Sequence, residues 1–346
     1  MNNSSAINFS VGTSGNNIAN SLQNTSNHNV IKLFDEDNKQ RKFNTGNVFV
    51  RGMQSFRDYD NEIHHNINNE LERNSLYRTE EINIINCSAG GLGSGATCLL
   101  LDMLTDEFGL QKSIFSNILL FGNQQNVHEH YNQILYLANV IEKMDCITCF
   151  DNSFQKHISS DKFDISNEFD MINDSISDFV NNMVIEKSEE LLNLESFDNK
   201  LKFLIPSVNN IERKLFKKSS QLFDVSGSDI IHNRDSVYFA NLIATPNIEN
   251  AYLFNANNLK YCNNSVKYLS LNVTNEKTNT KKQSYLMSNN SDIISVLKNT
   301  LRDFERSFKR GAFFQYYEDM FTKDDFIDNA EVVKQTIDSY SLIYGI

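Results

Sequence analysis

The stretch EINIINCSAGGLGSGATCLLL, residues 81–101, decides the fold class of this chain. Its first part alternates apolar isoleucines with polar residues, which is typical of a strand. A turn with four glycines follows, and the apolar run after it is typical of a helix that continues to Phe108. The order of strand, glycine turn and helix predicts one half of a βαβ unit.

The same order stands at the start of the chain. Ile7 to Val11 alternates like a strand, Gly12 to Asn17 is typical of a turn, and Ile18 to Leu22 begins a helix. Further segments continue the alternation, strand-like at 114–121 and 146–150 and helical at 127–143. The pattern predicts parallel strands joined by crossover helices, in an α/β nucleotide-binding domain.

The second half of the chain is more mixed. Apolar positions recur at helical spacing from 164 to 184, residues 268–273 look like a strand, and the polar stretch 274–284 looks like a loop. Two amphipathic helices, near 293–308 and 326–337, follow. We expect a nucleotide-binding domain over 1–163, a central helix over 164–190, a smaller α+β domain over 191–290 and C-terminal helices over 291–346.

Composition excludes several classes of protein. The 346 residues are 40% hydrophobic, which suffices for a folded core, and 32 basic against 44 acidic residues give a net charge of −12. A negative chain is a poor nonspecific ligand of nucleic acid. Five cysteines do not form a disulfide scaffold in a chain of this length, and the longest apolar runs are far shorter than the ~20 residues of a membrane span. We therefore expect a cytoplasmic protein without a membrane span.

The glycine turn at Ala89 to Gly95 is the first candidate for chemistry. Without side chains, its backbone N–H groups can approach an anion at the start of a helix, so phosphate is the natural ligand. It is not a Walker loop, because no Lys-Ser/Thr pair follows, nor a GxGxxG pattern in register. The alternative reading is a tight turn that needs glycine for a positive φ.

Order and spacing resemble the tubulin superfamily. AGGLGSG at 89–95 is similar to its signature GGGTGSG, and VGTSGNNIANSL at 11–22 is similar to its first phosphate loop, AGQCGNQIG. Val127 with Tyr131-Asn132, then Asp145, then Asp151-Asn152 resemble the series VxxxYN, D and DN. The resemblance implies a tubulin-like α/β fold with an N-terminal Rossmann-like GTPase domain on a parallel sheet, a central connecting helix, a smaller α+β domain and a C-terminal helical pair.

The C-terminal region resembles the gamma-tubulins. Ala312-Phe313-Phe314 is similar to their AFL segment, and Glu318-Asp319-Met320-Phe321 with Asp325-Phe326 to their EDMFKDNF stretch. The helix from Glu331 to Tyr340 is similar to REIVQQLIDEY. Segments of the family are missing after the first strand and in the second domain, so the chain looks like a shortened, divergent gamma-tubulin.

The resemblance implies a bound guanine nucleotide, GTP or GDP. Asn152 and Asn173 would read the guanine edge and Phe169 would stack on the base; Phe169 and Asn173 are four apart and share a helix face. Core packing is the alternative reading for Phe169. The implied nucleotide-binding residues are Gly12, Thr13, Ser14, Cys87, Ala89, Gly90, Gly91, Leu92, Gly93, Ser94, Gly95, Glu129, Asn152, Phe169 and Asn173.

Several departures from the family bear on the phosphate end. Thr13, Cys87 and Leu92 replace the usual glutamine, serine and threonine, and each weakens a polar contact. Residues 48–53 would stand for the second loop but carry no acid, and we find no counterpart of the third, glycine-asparagine loop. Mg²⁺, which prefers oxygen ligands, would accompany a triphosphate, yet its usual acidic ligands are missing. Arg51 is a candidate substitute charge.

Residues 193–198, NLESFD, resemble the catalytic pattern NxDxxD/E, whose acids position water at the nucleotide of a neighbouring subunit. Glu195 and Asp198 are therefore the candidate catalytic residues; the alternative is a solvated acidic helix end. In a gamma-type protein this loop would face capping partners, so we expect GTPase activity to be weak or absent.

Two other patterns have plainer readings. Cys146 and Cys149 form a CxxC in a predicted buried strand, without a second pair at zinc spacing, so we assign no metal. The helix near 293–308 carries a basic set that is either a solvated face or a contact for acidic partners: Lys298, Arg302, Arg306, Lys309 and Arg310.

The resemblance implies a gamma-tubulin-like subunit that nucleates microtubules at a microtubule-organising centre or spindle pole of the cytoplasmic cytoskeleton. Its partners would be alpha/beta-tubulin, proteins of a gamma-tubulin ring or small complex, and laterally its own copies. Two alternatives stay open: a self-polymerising tubulin-like GTPase of a segregation system, and a degenerate, nucleotide-free structural protein. The missing segments could also be an artefact of the gene model.

Overall fold

The computed structural model describes residues 5–25, 29–34, 47–73, 79–110, 114–121, 126–151, 168–182, 202–210, 238–245, 268–273 and 283–345. The strands are β1 Ser5–Val11, β2 Val30–Leu33, β3 Thr79–Cys87, β4 Ile114–Phe121, β5 Cys146–Asp151, β6 Phe203–Asn210, β7 Tyr238–Thr245, β8 Tyr268–Val273 and β9 Gln283–Asn290. The helices are α1 Gly12–Thr25, α2 Phe49–Asp58, α3 Asp60–Arg73, α4 Thr97–Asp102, α5 Val127–Lys143, α6 Glu168–Val180, α7 Asp292–Lys309 and α8 Lys323–Tyr344. Turns of π-helix over Leu92–Ala96 and Met103–Glu107 extend α4 at both ends.

The described strands form one sheet in the order β2-β1-β3-β4-β5-β6-β9-β7-β8. The first six of these are mutually parallel. Strand β9 is antiparallel to both β6 and β7, while β7 and β8 are parallel. The predicted α/β class with a parallel sheet is confirmed, and the boundaries of the four expected parts stay predictions.

Alternation along the central strands places apolar side chains on both faces of the sheet. Ile84 packs in the larger cluster, together with side chains of α5, α7 and α8. Its neighbour Ile85 packs in a second cluster, with Ile18 of α1 and Phe179 of α6. Helices therefore cover both faces, and the C-terminal pair lies against α5.

Two local predictions differ from the structure. Residues 12–17 are not a separate turn, because α1 begins at Gly12, whose φ of +74° makes the change from strand to helix in one residue. Gln283 and Ser284, which fall in the predicted loop, begin β9. The described part of the helix predicted from 164 to 184 is helical, as α6 over Glu168–Val180.

Each helix of the described segments is too short or too polar to cross a bilayer.

Candidate functional site

The start of α1 and the signature turn meet at one edge of the sheet. Strands β1 and β3 are parallel neighbours, so the segments that follow them leave from the same edge. A Cβ atom placed at Gly12 would lie 3.1 Å from the Gly93 nitrogen. Thr13 and Ser14, which come next, are exposed at the start of α1. The structure thus brings the two predicted phosphate loops together.

Most glycines of the signature turn are required for close packing of backbone. A Cβ atom at Gly91 would lie 2.4 Å from the Val48 oxygen, and one at Gly95 would lie 2.1 Å from the Phe49 oxygen. One at Gly93 would lie 2.5 Å from the Cys87 oxygen. Close approach, and not a positive φ, explains glycine at these three positions.

Gly90 is different from the other signature glycines. Among the described residues, no atom lies within 4 Å of a Cβ placed there. The residue is half-buried, at the corner between β3 and the π-helical turn. It is the position in the signature where a ligand has room to approach the backbone.

Side-chain hydrogen bonds hold the turn in shape. The Asn86 amide donates to the Gly93 carbonyl at 2.6 Å, and the Thr97 hydroxyl donates to the same oxygen at 2.7 Å. The Ser94 hydroxyl donates to the Gly90 carbonyl at 2.6 Å. Ser94 is buried and supports the turn from within.

Cys87 ends β3 and is half-buried beside the turn. Burial raises the pKa of its thiol and the nearby Glu129 carboxylate raises it further, while hydrogen bonds from the backbone of Ala89 and Gly90 partly oppose the shift. The sulfur is therefore a neutral thiol at neutral pH, which suits packing against a ligand better than nucleophilic attack.

Residues 128–130 form the first turn of α5, within the helix predicted over 127–143. The Asn126 side chain caps this helix by accepting from the His128 N–H at 3.1 Å, and Asn126 to Glu129 is a helix-start pattern that the sequence already contains. Glu129 is half-buried in that turn, and its negative charge raises the pKa of the Cys87 thiol. The structure thus keeps Glu129 next to the signature.

Asn132, one turn further along α5, is a hydrogen-bonding centre that we did not predict as a site residue. Its amide nitrogen donates to the carbonyls of Ala89 and Asn47, each at 2.7 Å. Its oxygen accepts from the Phe49 N–H at 3.0 Å and from the Tyr317 hydroxyl at 2.8 Å. The signature turn, the start of α2 and the C-terminal region are thus joined at one side chain.

Residues 48–53, which we expected to form the second loop, lie at the start of helix α2. Val48 immediately precedes α2, and residues 49–53 form its first turns against the signature. The pair Gly46-Asn47 stands directly before it in the sequence, so a glycine-asparagine dipeptide is present although we expected none. Asn47 has a φ of +57° and bonds to Asn132. It is a candidate that only its spatial position distinguishes.

The structure locates Arg51 and Asn173, whereas most of the other expected site residues lie outside the described part of the chain. The Arg51 guanidinium carbon lies 5.9 Å from the centroid of the Tyr316 ring, on the side of the C-terminal region. Asn173 is half-buried on α6, which packs against α1. Phe169 lies on the same helix, but its side chain, Asn152, Glu195 and Asp198 lie outside the described residues.

Metal ligands are not gathered in the part of the chain that the structure describes, where no group of three His, Cys, Asp or Glu side chains could hold an ion. Cys146 and Cys149 are buried in β5 and are not disulfide-bonded. Burial raises the pKa of Cys146 to about 12, so these thiols are protonated core residues.

Comparisons with known proteins indicate the family that this chain resembles. A family model described as the Tubulin/FtsZ family, GTPase domain, matches residues 40–160, which include α2, the signature turn and α5. The tubulin gamma chain of Eremothecium gossypii is 26% identical over 89% of this chain and 74% of that protein. The chain is therefore similar to the tubulin superfamily, and most of its length is similar to gamma chains of that superfamily. The tubulin gamma chain of Saccharomyces cerevisiae is also similar, with 24% identity over 85% of this chain and 71% of its own length.

A third gamma chain, from Candida glabrata, is 23% identical over 79% of this tubulin-like chain and 67% of that protein. The domain matched by the family model is the guanine-nucleotide-binding part of the superfamily. The signature turn at 89–95 lies within that matched domain, and the similarity is that of a tubulin-like GTP-binding protein.

Proposed function

We propose that the chain binds GTP or GDP at the edge of the sheet where the turns after β1 and β3 meet. The observation that carries this proposal is the contact of Gly12 with Gly93 beside the open position of Gly90. Phosphate oxygens would accept hydrogen bonds from the N–H groups of Gly90 and of the first turn of α1. The positive end of that helix favours an anion. Thr13 and Ser14 add exposed hydroxyl donors there.

The base and metal contacts extend the same proposal. Asn173 and Phe169 on α6, with Asn152 after β5, would hold the guanine. Mg²⁺ would need oxygen ligands, and the Asn47 side chain is a candidate for one of them. Since no group of three His, Cys, Asp or Glu among the described residues could hold an ion, the nucleotide would be held mainly by backbone groups. Ala89, Gly91, Leu92, Gly95 and Ser94 would shape the turn, and Glu129 would lie near the ribose.

The first test is to purify the protein without added nucleotide, denature it and identify any released base by chromatography. Guanine nucleotide at about one equivalent supports the proposal. A protein that releases none, and that takes up none when GTP or GDP is added, overturns it and favours the nucleotide-free alternative.

A variant at Gly90 makes this test specific to the site. Because a Cβ at Gly90 meets no described atom within 4 Å, Gly90→Val should leave the fold intact while its side chain fills the space where phosphate would lie. We expect at least a tenfold loss of nucleotide affinity. The matched control is Asn24→Val, at an exposed position near the far end of α1, which should bind like the unaltered protein. Equal binding by both variants would place the ligand elsewhere.

A gamma-tubulin-like role in microtubule nucleation is the finer part of the proposal. It is supported by the similarity to three gamma chains and by the helical pair α7 and α8 packed on α5. The protein would present its nucleotide face to alpha/beta-tubulin while ring-complex proteins hold it laterally at a spindle pole. Glu195 and Asp198 would contribute little turnover.

Nucleation is tested by adding the protein, with candidate ring-complex partners, to alpha/beta-tubulin below its spontaneous assembly concentration and counting microtubules. More microtubules of unchanged growth rate support the role. Filaments formed by the protein alone with rapid GTP hydrolysis, lost in Asp198→Ala, would instead support the self-polymerising alternative.

A further inference from the structure

Tyr317 belongs to the connection between α7 and α8, yet its hydroxyl ends at the nucleotide-binding half of the molecule. The side chain is fully buried. Its hydroxyl donates to the Asn132 oxygen at 2.8 Å and lies 3.3 Å from the His128 ring nitrogen Nδ1. A phenol carries a single proton, so the short contact to Asn132 is the one that it donates.

Asn132 uses its full hydrogen-bonding capacity. A primary amide offers two N–H donors and two acceptor sites, and all four are occupied, by Ala89, Asn47, Phe49 and Tyr317. This arrangement also fixes which end of the amide is nitrogen, because both of the nitrogen's contacts are carbonyl oxygens. Loss of the Tyr317 donor would leave the oxygen half-satisfied inside the protein, where such a group is costly.

The Ala89 carbonyl sets the direction of the Gly90 N–H. In a trans peptide the C=O and the following N–H point in opposite directions, so the bond from Asn132 to Ala89 turns the Gly90 N–H the other way. Asn132 therefore holds the donor on which the phosphate site depends.

We propose that Tyr317 is a positioning residue of the nucleotide site, acting through Asn132 on the Ala89–Gly90 peptide, so that nucleotide binding and docking of the C-terminal segment stabilise each other. This rests on the proposed guanine-nucleotide site. By linkage, any preference of nucleotide for the docked segment is matched by an equal stabilisation of that segment when nucleotide is bound.

The test compares two phenylalanine variants of the full chain. Tyr317→Phe removes one hydroxyl and keeps the ring between Tyr131 and Phe326. Tyr340→Phe is the matched control, because its hydroxyl is equally buried but accepts from the Phe203 N–H at 3.1 Å, on β6. Tyr317→Phe loses the hydroxyl contacts with Asn132 and His128, and Tyr340→Phe loses those with Phe203 and Asn289, so both variants should lower stability.

Two readouts separate positioning from stability. GDP affinity should fall about threefold to tenfold in Tyr317→Phe, the effect of one hydrogen bond, and stay unchanged in Tyr340→Phe. Hydrogen exchange without nucleotide should accelerate at the Phe49 amide, which shares the Asn132 oxygen, only in Tyr317→Phe. Added GDP should protect amides of 314–321 in the unaltered protein and protect them less in Tyr317→Phe.

The outcomes also separate this inference from the proposed function. If the unaltered protein binds GDP and Tyr317→Phe binds it equally, with unchanged exchange at Phe49, the positioning role is overturned and the nucleotide site stands. Equal loss of affinity in both variants overturns it too, since the effect is then general instability. If the unaltered protein binds no guanine nucleotide, the proposed function falls and the inference falls with it.

Discussion

At the scale of single residues, adjacent glycines of the signature have opposite requirements. A Cβ at Gly91 would lie 2.4 Å from the Val48 oxygen and 2.8 Å from its nitrogen, and backbone atoms cannot turn aside as a side chain can. We expect Gly91→Ala to lower the free energy of unfolding by about 1–3 kcal/mol, measured by urea denaturation. Gly90→Ala is the neighbouring control and should be close to neutral. Equal effects of the two changes would contradict the packing described here.

At the scale of elements, helix α8 is defined by a capping box. The Thr322 hydroxyl accepts from the Asp325 N–H at 3.2 Å, and the Asp325 carboxylate accepts from the Thr322 N–H at 2.6 Å. We expect Thr322→Ala to cost about 1 kcal/mol of stability, measured by urea denaturation. Thr322→Ser keeps the hydroxyl and should retain most of that stability. A loss of stability as large in Thr322→Ser as in Thr322→Ala would show that the threonine methyl group stabilises the helix, and not the capping hydroxyl.

At the scale of the whole molecule, Phe326 joins the C-terminal helical pair to α5. Its buried ring lies 5.4 Å from that of Tyr131 and 6.0 Å from that of Phe304, measured between centroids. Phe326→Ala should cost about 3–5 kcal/mol. That is a large share of the 5–15 kcal/mol typical of a folded domain, so we expect limited proteolysis to release α7 and α8 first.

The control for that prediction lies on the same helix. Leu342 is 82% exposed, so Leu342→Ala should change neither the urea midpoint nor the cleavage pattern. Rapid cleavage within β3 or α5, at the same rate as in α8, would show instead that the molecule unfolds as one unit.

Much of the fold could be predicted because it depends on short-range patterns. Alternation in β3 and β4 and helical spacing in α5 are properties of contiguous segments, and parallel pairing follows from their order. The start of α1 was mistaken for a turn because Gly12 and the asparagines are poor helix formers. Packing overrides that tendency: a Cβ at Gly15 would lie 2.3 Å from the Ile85 oxygen.

The candidate site was only partly predictable. The motifs at Gly12 and Gly90 have local signatures, so the sequence identifies them as a pair of glycine-containing segments that each follow a strand. Asn132 and Tyr317 are 185 positions apart, and no periodicity or spacing connects them. Asn47 was overlooked for a related reason, since its role depends on where α5 lies in space.

The bond from Asn132 to Tyr317 also affects how the protein is made. A ribosome adds about 5–20 residues per second, so roughly 10–40 seconds separate synthesis of these two residues, which lie 185 positions apart. During that interval the emerging chain contains all of β3 to α5, but the Asn132 oxygen lacks the Tyr317 hydroxyl as a donor and the Tyr131 ring lacks the C-terminal helices that cover it. The nascent protein is then most open to aggregation, and we expect its yield in cells to depend on help from chaperones until the last helices have been made.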